Sequence, residues 1–196
     1  MTAMTQNPRD LIISLPNPHL RQRSKRVGIV TNDTTKLIQT MIDATLDWED
    51  SRKHEVGVAL AAPQIDTLLR VVIIREDFED KTNRTFTILI NPEITKYEGD
   101  LIEDYEGCLS IQDIYGKVPR YNKVRVKALD ANGKEFRFTA EGFLARVVQH
   151  EIDHTNGIVF IDHIKDDPAA FYKLDDEGHL EPLNYEADIK ANHLLW

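Results

Sequence analysis

Residues 150–154 read His-Glu-Ile-Asp-His, inside a stretch from Ala140 to Asn156 whose apolar residues recur at helical spacing. No other segment restricts the fold as tightly. On a helix, positions i and i+4 face the same way, so His150 and His154 lie about one turn apart with Glu151 beside them. Two imidazoles so placed can hold one tetrahedral metal ion, with the glutamate next to the open coordination position. Phe143 and Val147 continue the histidine face toward the N-terminus of the helix, and Gly157 stands where it should stop.

The rest of the chain supplies mostly strands. A helix capped by Asn32, Asp33 or Thr34 is expected through Leu37, Ile38, Met41, Ile42, Thr45, Leu46 and Trp48, ending in the charged run 49–55. Gly57–Gln64 is a run of small residues without amphipathic period, suited to close backbone approach. Strands are predicted at 70–75 and 85–91, with 76–84 as a hairpin loop. A second hairpin is predicted from 123–130 and 134–139 around Asn132-Gly133. A short strand is expected at 158–163; beyond Lys165 the chain is acidic and irregular, with a terminal helix near 186–195. Helices and strands do not alternate regularly. The expected class is therefore α+β, with antiparallel β-sheets packed around a central helix that carries the histidines.

Composition excludes several functions. The 196 residues suffice for one large domain with a real core. No apolar run approaches the ~18 residues of a membrane span, and the N-terminus lacks the apolar stretch of a secretory signal. Pro8, Pro16 and Pro18 interrupt any targeting helix, so a cytoplasmic location is expected. The net charge of −9 argues against direct nucleic-acid specificity, since phosphate neutralisation needs clustered Lys and Arg. The single cysteine, Cys108, forms no internal disulfide and is either a small core residue or a chemical one.

Two histidine ligands need a third. Downstream candidates are Asp162, His163, Asp166, Asp167 and Glu177; the upstream one is Cys108, about forty residues before the helix. The five remaining histidines, His163 included, have no motif around them. Glu106 and Arg120 are placed to pair near Cys108, and Asp153 either orients a ligand or belongs to a solvated helix face.

Three segments then resemble the signatures of peptide deformylases, in that family's order: Gly57–Gln64, Glu106-Gly107-Cys108-Leu109-Ser110, and Gln149-His150-Glu151-Ile152-Asp153-His154. Pro16–Arg21, Asn91-Pro92 and Val118-Pro119-Arg120 add to the likeness, which spans about residues 11–164. The resemblance implies a catalytic domain over 1–165 and a C-terminal extension over 166–196. It also implies that Cys108, His150 and His154 hold one divalent metal ion, commonly Fe(II) in the family and chemically open to Zn(II). By the same likeness Glu151 is the general acid/base, and the Gln64 side-chain amide and Leu109 backbone N–H stabilise the oxyanion. The substrate implied is an N-formyl-methionyl nascent peptide, with formate released and a transient ribosome contact compatible with that role. Val58, Ala59, Gly107, Phe143 and Val147 are the candidate substrate-binding residues.

The chain departs from the family pattern at Ala59, where a second glycine is usual, and at Gln112, Tyr115 and Thr155. Ala59 bears on the substrate channel and Tyr115 on contacts beyond methionine. Two other readings stand beside the deformylase: an HExxH peptidase with a downstream third ligand, and a deformylase-like peptide- or metal-binding protein with altered or no catalysis.

Overall fold

The computed structural model of the chain describes residues 7–191 and 193. It is an α+β fold that has, among the described residues, two α-helices and seven strands, every strand pair antiparallel. The strands are β1 (Ala59–Ala61), β2 (Val71–Arg75), β3 (Phe86–Cys108), β4 (Ile111–Leu129), β5 (Glu135–Glu141), β6 (Phe171–Leu174) and β7 (Leu180–Pro182). They form one hydrogen-bonded network in the order β1-β2-β3-β4-β6-β7, with β5 on β4, in place of the several sheets expected.

Helix α1 (Asn32–Asp50) is capped by Thr31, one residue before the first of the expected caps. Thr31 takes an extended conformation and its backbone N–H donates to Thr34 Oγ1 at 3.3 Å. Helix α2 (Gly142–Thr155) starts two residues later than expected, because Ala140 and Glu141 pair with Val124 and Lys123 as the end of β5. At its far end Gly157 has φ +76°, and a Cβ there would meet the Arg21 carbonyl oxygen at 2.5 Å. Only glycine fits both that conformation and the close approach of the N-terminal lead-in.

The continuous apolar run of β2 is explained by burial on both faces. Val72 and Ile74 join Ala59, Leu89, Val147, Val148 and Ile152 in a core against α2. Val71 and Ile73 point the other way, into a second core with Ile38, Met41, Ala44 and Trp48 of α1. Alternate residues of one strand thus hold the two helices on opposite sides of the sheet.

Strands β3 and β4 run far beyond the segments 85–91 and 123–130 that the sequence shows as strands. Register shifts between Ile90 and Glu93, Ile94 and Lys96, and Glu98 and Leu101 break the two-residue alternation. Much of 95–104 is exposed and charged, so the periodic signal disappears there. The two strands close at the turn Leu109-Ser110, with Cys108 opposite Ile111.

Two local expectations are corrected. Residues 160–163 form a 3-10 turn, not a strand. Phe160 and Ile161 are both buried, and Asp162 Oδ2 accepts the Val159 N–H at 2.9 Å, which winds the apolar run into the core. Beyond Lys165, where an irregular chain is expected, β6 instead joins the open edge of β4 and Phe171 and Ile189 pack with Cys108, Ile111 and Phe160. Tyr185–Lys190 forms a π-helical segment. The remainder of the terminal helix expected at 186–195 includes positions 192, 194 and 195, which lie outside the described residues. No helix among the described residues is long and apolar enough to cross a membrane.

Candidate metal centre and cleft

Helix α2 brings His150 and His154 onto one face, and the end of β3 brings Cys108 against them. Cys108 Sγ lies 3.2 Å from His154 Nε2, which lies 3.2 Å from His150 Nε2. The ligand atoms of all three fall within 4.8 Å of one another, and all three residues are buried. Among the described residues this is the one such group. Asp162 is instead paired with Arg21, His163 with Asp153, and Asp167 with the Ala169 N–H.

A second layer of charge holds the cluster. Glu106 Oε2 is 2.9 Å from His150 Nδ1, so the ring's other nitrogen faces Cys108 and His154. Arg120 donates to both Glu106 oxygens, at 2.9 and 3.0 Å, and Arg146 donates to Oε1 at 2.9 Å. Burial opposes ionisation of Glu106, but hydrogen bonds from His150 and Arg120 outweigh it and hold the carboxyl well below the usual range. Arg120 also donates to Asp153 Oδ2 at 2.6 Å, so Asp153 belongs to this network and not to a solvated face.

Arg146 went unrecognised in the sequence. Its signal was present, since it precedes His150 by four residues on the same helix and therefore shares its face. What the sequence does not display is the partner, forty residues away on β3.

Glu151 is buried beside His150, and its Oε2 has no hydrogen-bond partner among the described residues. Burial pushes its carboxyl up to about 7; nearby His150 opposes the rise and Glu106 adds to it. Gln64 is held from both sides: its Oε1 accepts the Ala61 N–H at 2.8 Å, and its Nε2 donates to Ser110 Oγ at 3.2 Å and Cys108 Sγ at 3.4 Å. That fixed amide points its N–H at the cysteine sulfur.

These groups fit a metal ion. The set is one sulfur and two imidazole nitrogens, a donor chemistry suited to Zn(II) or Fe(II). The facing ring nitrogens and the partnerless Glu151 oxygen are buried polar atoms that a cation and a water would satisfy.

The cluster opens on a cleft of about 400 Å³. Val58, Ala59, Gln64, Gly107, Leu109, Phe143, Val147 and Glu151, all anticipated from the sequence, line it. His154 lies beneath the lining, almost wholly buried. Phe143 stands at the rim, 48% exposed and edge-on to Phe78 at 5.2 Å. Ala59 sits in β1 opposite Ile74 without a positive φ, so its Cβ brings no backbone strain.

The polypeptide deformylase family matches residues 10–169 of this chain. Peptide deformylase from Thermomicrobium roseum is 40% identical over 169 residues, which cover 85% of this chain and 92% of the relative. The enzyme of the same name from Halothermothrix orenii is 44% identical over 154 residues, or 78% and 92% of the two chains. A crystal structure of a peptide deformylase from Synechococcus elongatus, in complex with actinonin, superposes with a TM-score of 0.71 and 36% identity, covering 82% of this chain and 80% of that one. One from Legionella pneumophila gives 0.68 and 42%, covering 78% and 83%. With a helix-borne histidine pair, a cysteine at a strand end and relatives of this extent, the chain belongs to the peptide deformylase family.

Proposed function

We propose that Cys108, His150 and His154 hold the metal ion with which this chain, a metal-dependent amide hydrolase, removes the formyl group from N-formyl-methionyl peptides of newly made proteins, releasing formate. The observation that carries the assignment is the convergence of those three buried donors at the floor of a cleft, with the Glu151 carboxyl beside them. Fe(II) is the proposed native ion and Zn(II) the other that suits the donors. When bound, such an ion polarises a water and the formyl carbonyl.

The protein's own groups perform the remaining work. Glu151 accepts a proton from the attacking water and delivers it to the departing amine, a role open to its buried, unpartnered carboxyl oxygen beside His150. The oxyanion that develops on the formyl carbon is met by the Gln64 amide N–H, already fixed by Ala61 and Ser110, and by the backbone N–H of Leu109. Glu106 keeps His150 in one orientation, and Arg120 and Arg146 hold the Glu106 carboxylate in place. Val58, Ala59, Gly107, Phe143 and Val147 receive the methionyl end of the peptide. In this reading α2 is the central helix of a catalytic domain over 1–165, and 166–196 is an extension attached to its sheet. A cytoplasmic site of action, with transient ribosome contact, would place the enzyme where formylated chains emerge.

Formate release from formyl-Met-Ala-Ser by anaerobically prepared protein of known metal content tests the assignment. Turnover proportional to bound metal, with Cys108→Ser losing both, is the expected result. A metal-loaded wild type that releases no formate would refute it. A Cys108→Ser protein that keeps its full metal would move the third ligand elsewhere.

A further inference from the structure

The cleft continues past the Cys108–His150–His154 cluster to a wall built in part from residues beyond the family match. Leu174, Gly178 and Leu180, from the β6–β7 hairpin, line its far side together with His54, Glu55 and Tyr115. The family match ends at residue 169, so the hairpin lies beyond it.

The hairpin is held in place from two directions. Tyr115 of β4 pairs with Tyr172 of β6, which fixes the hairpin's base to the sheet. At its tip, Gly178 has φ +89°, and a Cβ there would come within 3.1 Å of His54 Cγ, so the tip rests on the loop after α1. That loop is itself tied to β4, because the Tyr115 hydroxyl donates to Glu55 Oε1 at 2.7 Å. The Tyr115 ring lies against Gly107, next to the cysteine. One aromatic residue therefore connects the metal cluster to the distal wall.

Leu174 and Leu180 are directly opposite each other across the hairpin. Side chains of such a pair leave the same face of the ribbon, and here that face lines the cleft. Both leucines are only partly buried, so a ligand can still cover them.

We infer that Leu174 and Leu180 form an apolar subsite, outside the family-matched region, that selects substrates by an apolar side chain downstream of the formyl-methionine. The inference deepens the deformylase reading and rests on it. An apolar side chain seated on the leucine pair withdraws their exposed surface from water, and an alanine or serine in its place leaves that surface wet.

The test compares kcat/KM for formyl-Met-Ala-Ser, formyl-Met-Leu-Ser and formyl-Met-Ala-Leu, in wild type and in L174A/L180A. Wild type should favour at least one leucine peptide by about tenfold, the range for a hydrophobic pocket, and the double variant should bring that ratio close to one. Equal rates for all three peptides in wild type, or a preference the double variant retains, would overturn the subsite. Failure to cleave any of them would instead sink the deformylase reading. Methyl resonances of Leu174 and Leu180 in wild type, titrated with the product Met-Ala-Leu or Met-Leu-Ser, decide the subsite in that event or if the variant does not fold. Larger shifts than with Met-Ala-Ser support it, and equal or absent shifts refute it.

Discussion

Nδ1 of His150 lies 2.9 Å from Oε2 of Glu106, a carboxylate that also takes hydrogen bonds from Arg120 and Arg146. One acidic side chain thus orients the ring of a proposed ligand and pairs with two buried cations. Replacing Glu106 with Gln keeps the shape and removes the charge. Metal affinity should fall about 10- to 100-fold, as for other groups that orient ligands. Stability should drop by about 3 kcal/mol, toward the lower end for a broken buried pair, because Arg120 keeps Asp153 and Arg146 keeps the Val118 carbonyl. Chelator competition and urea unfolding measure the two effects, and unchanged metal affinity would show that His150 needs no carboxylate.

Among the described residues, a buried oxygen of Glu151 has no hydrogen-bond partner. Glu151→Ala should therefore lower kcat by about 10²- to 10⁴-fold, the usual contribution of an acid/base group, and retain one metal ion per chain. Formate release measured alongside metal content separates this from metal loss. A variant that keeps most of its turnover would assign the proton transfer to another group.

A second buried ion pair joins α1 to β2. Glu49 at the end of α1 accepts the Gly57 N–H at 2.8 Å and lies 2.9 Å from Arg75, whose side chain is wholly buried. Glu49→Ala leaves that guanidinium without its counter-charge and should cost about 3–5 kcal/mol in unfolding free energy. Replacing both residues with apolar ones of similar size should recover most of the loss. Denaturant midpoints test the pair; a single-variant loss under about 1 kcal/mol would mean water reaches Arg75.

Ala59 occupies a strand and not a left-handed turn. Ala59→Gly should lower stability by about 0.5–1 kcal/mol, through the freedom gained in the unfolded chain, and leave metal content unchanged. KM for formyl-Met-Ala-Ser should stay close to that of the wild type. A marked fall in KM would show that the Ala59 methyl narrows the peptide channel.

Legibility in the sequence followed the range of the interactions. The 3.6-residue period of α2 is local, so the shared face of Val147, His150 and His154 could be read directly. The hairpin around Asn132-Gly133 was equally visible, because its turn chemistry lies within a few residues: Asp130 Oδ1 accepts the N–H groups of Asn132 and Lys134. The middle of β3 was invisible, since its shifts in register break the alternation that marks a strand. Residues 160–163 looked like a strand because a short apolar run carries no period; the Asp162 cap that winds them into a turn outweighs their β-propensity.

The sequence alone determined which atoms could bind a metal and how two of them are spaced, because donor chemistry and helical pitch belong to the chain itself. From residues alone it left the third ligand open between Cys108 and five downstream side chains. Only tertiary structure placed Cys108 Sγ 3.2 Å from His154 Nε2 and gave Arg146 its partner in Glu106. It also carried Leu174 and Leu180 to the cleft. These pairings join positions forty or more residues apart, and they depend on strand register and on burial at both faces of the sheet, which no local window of sequence contains.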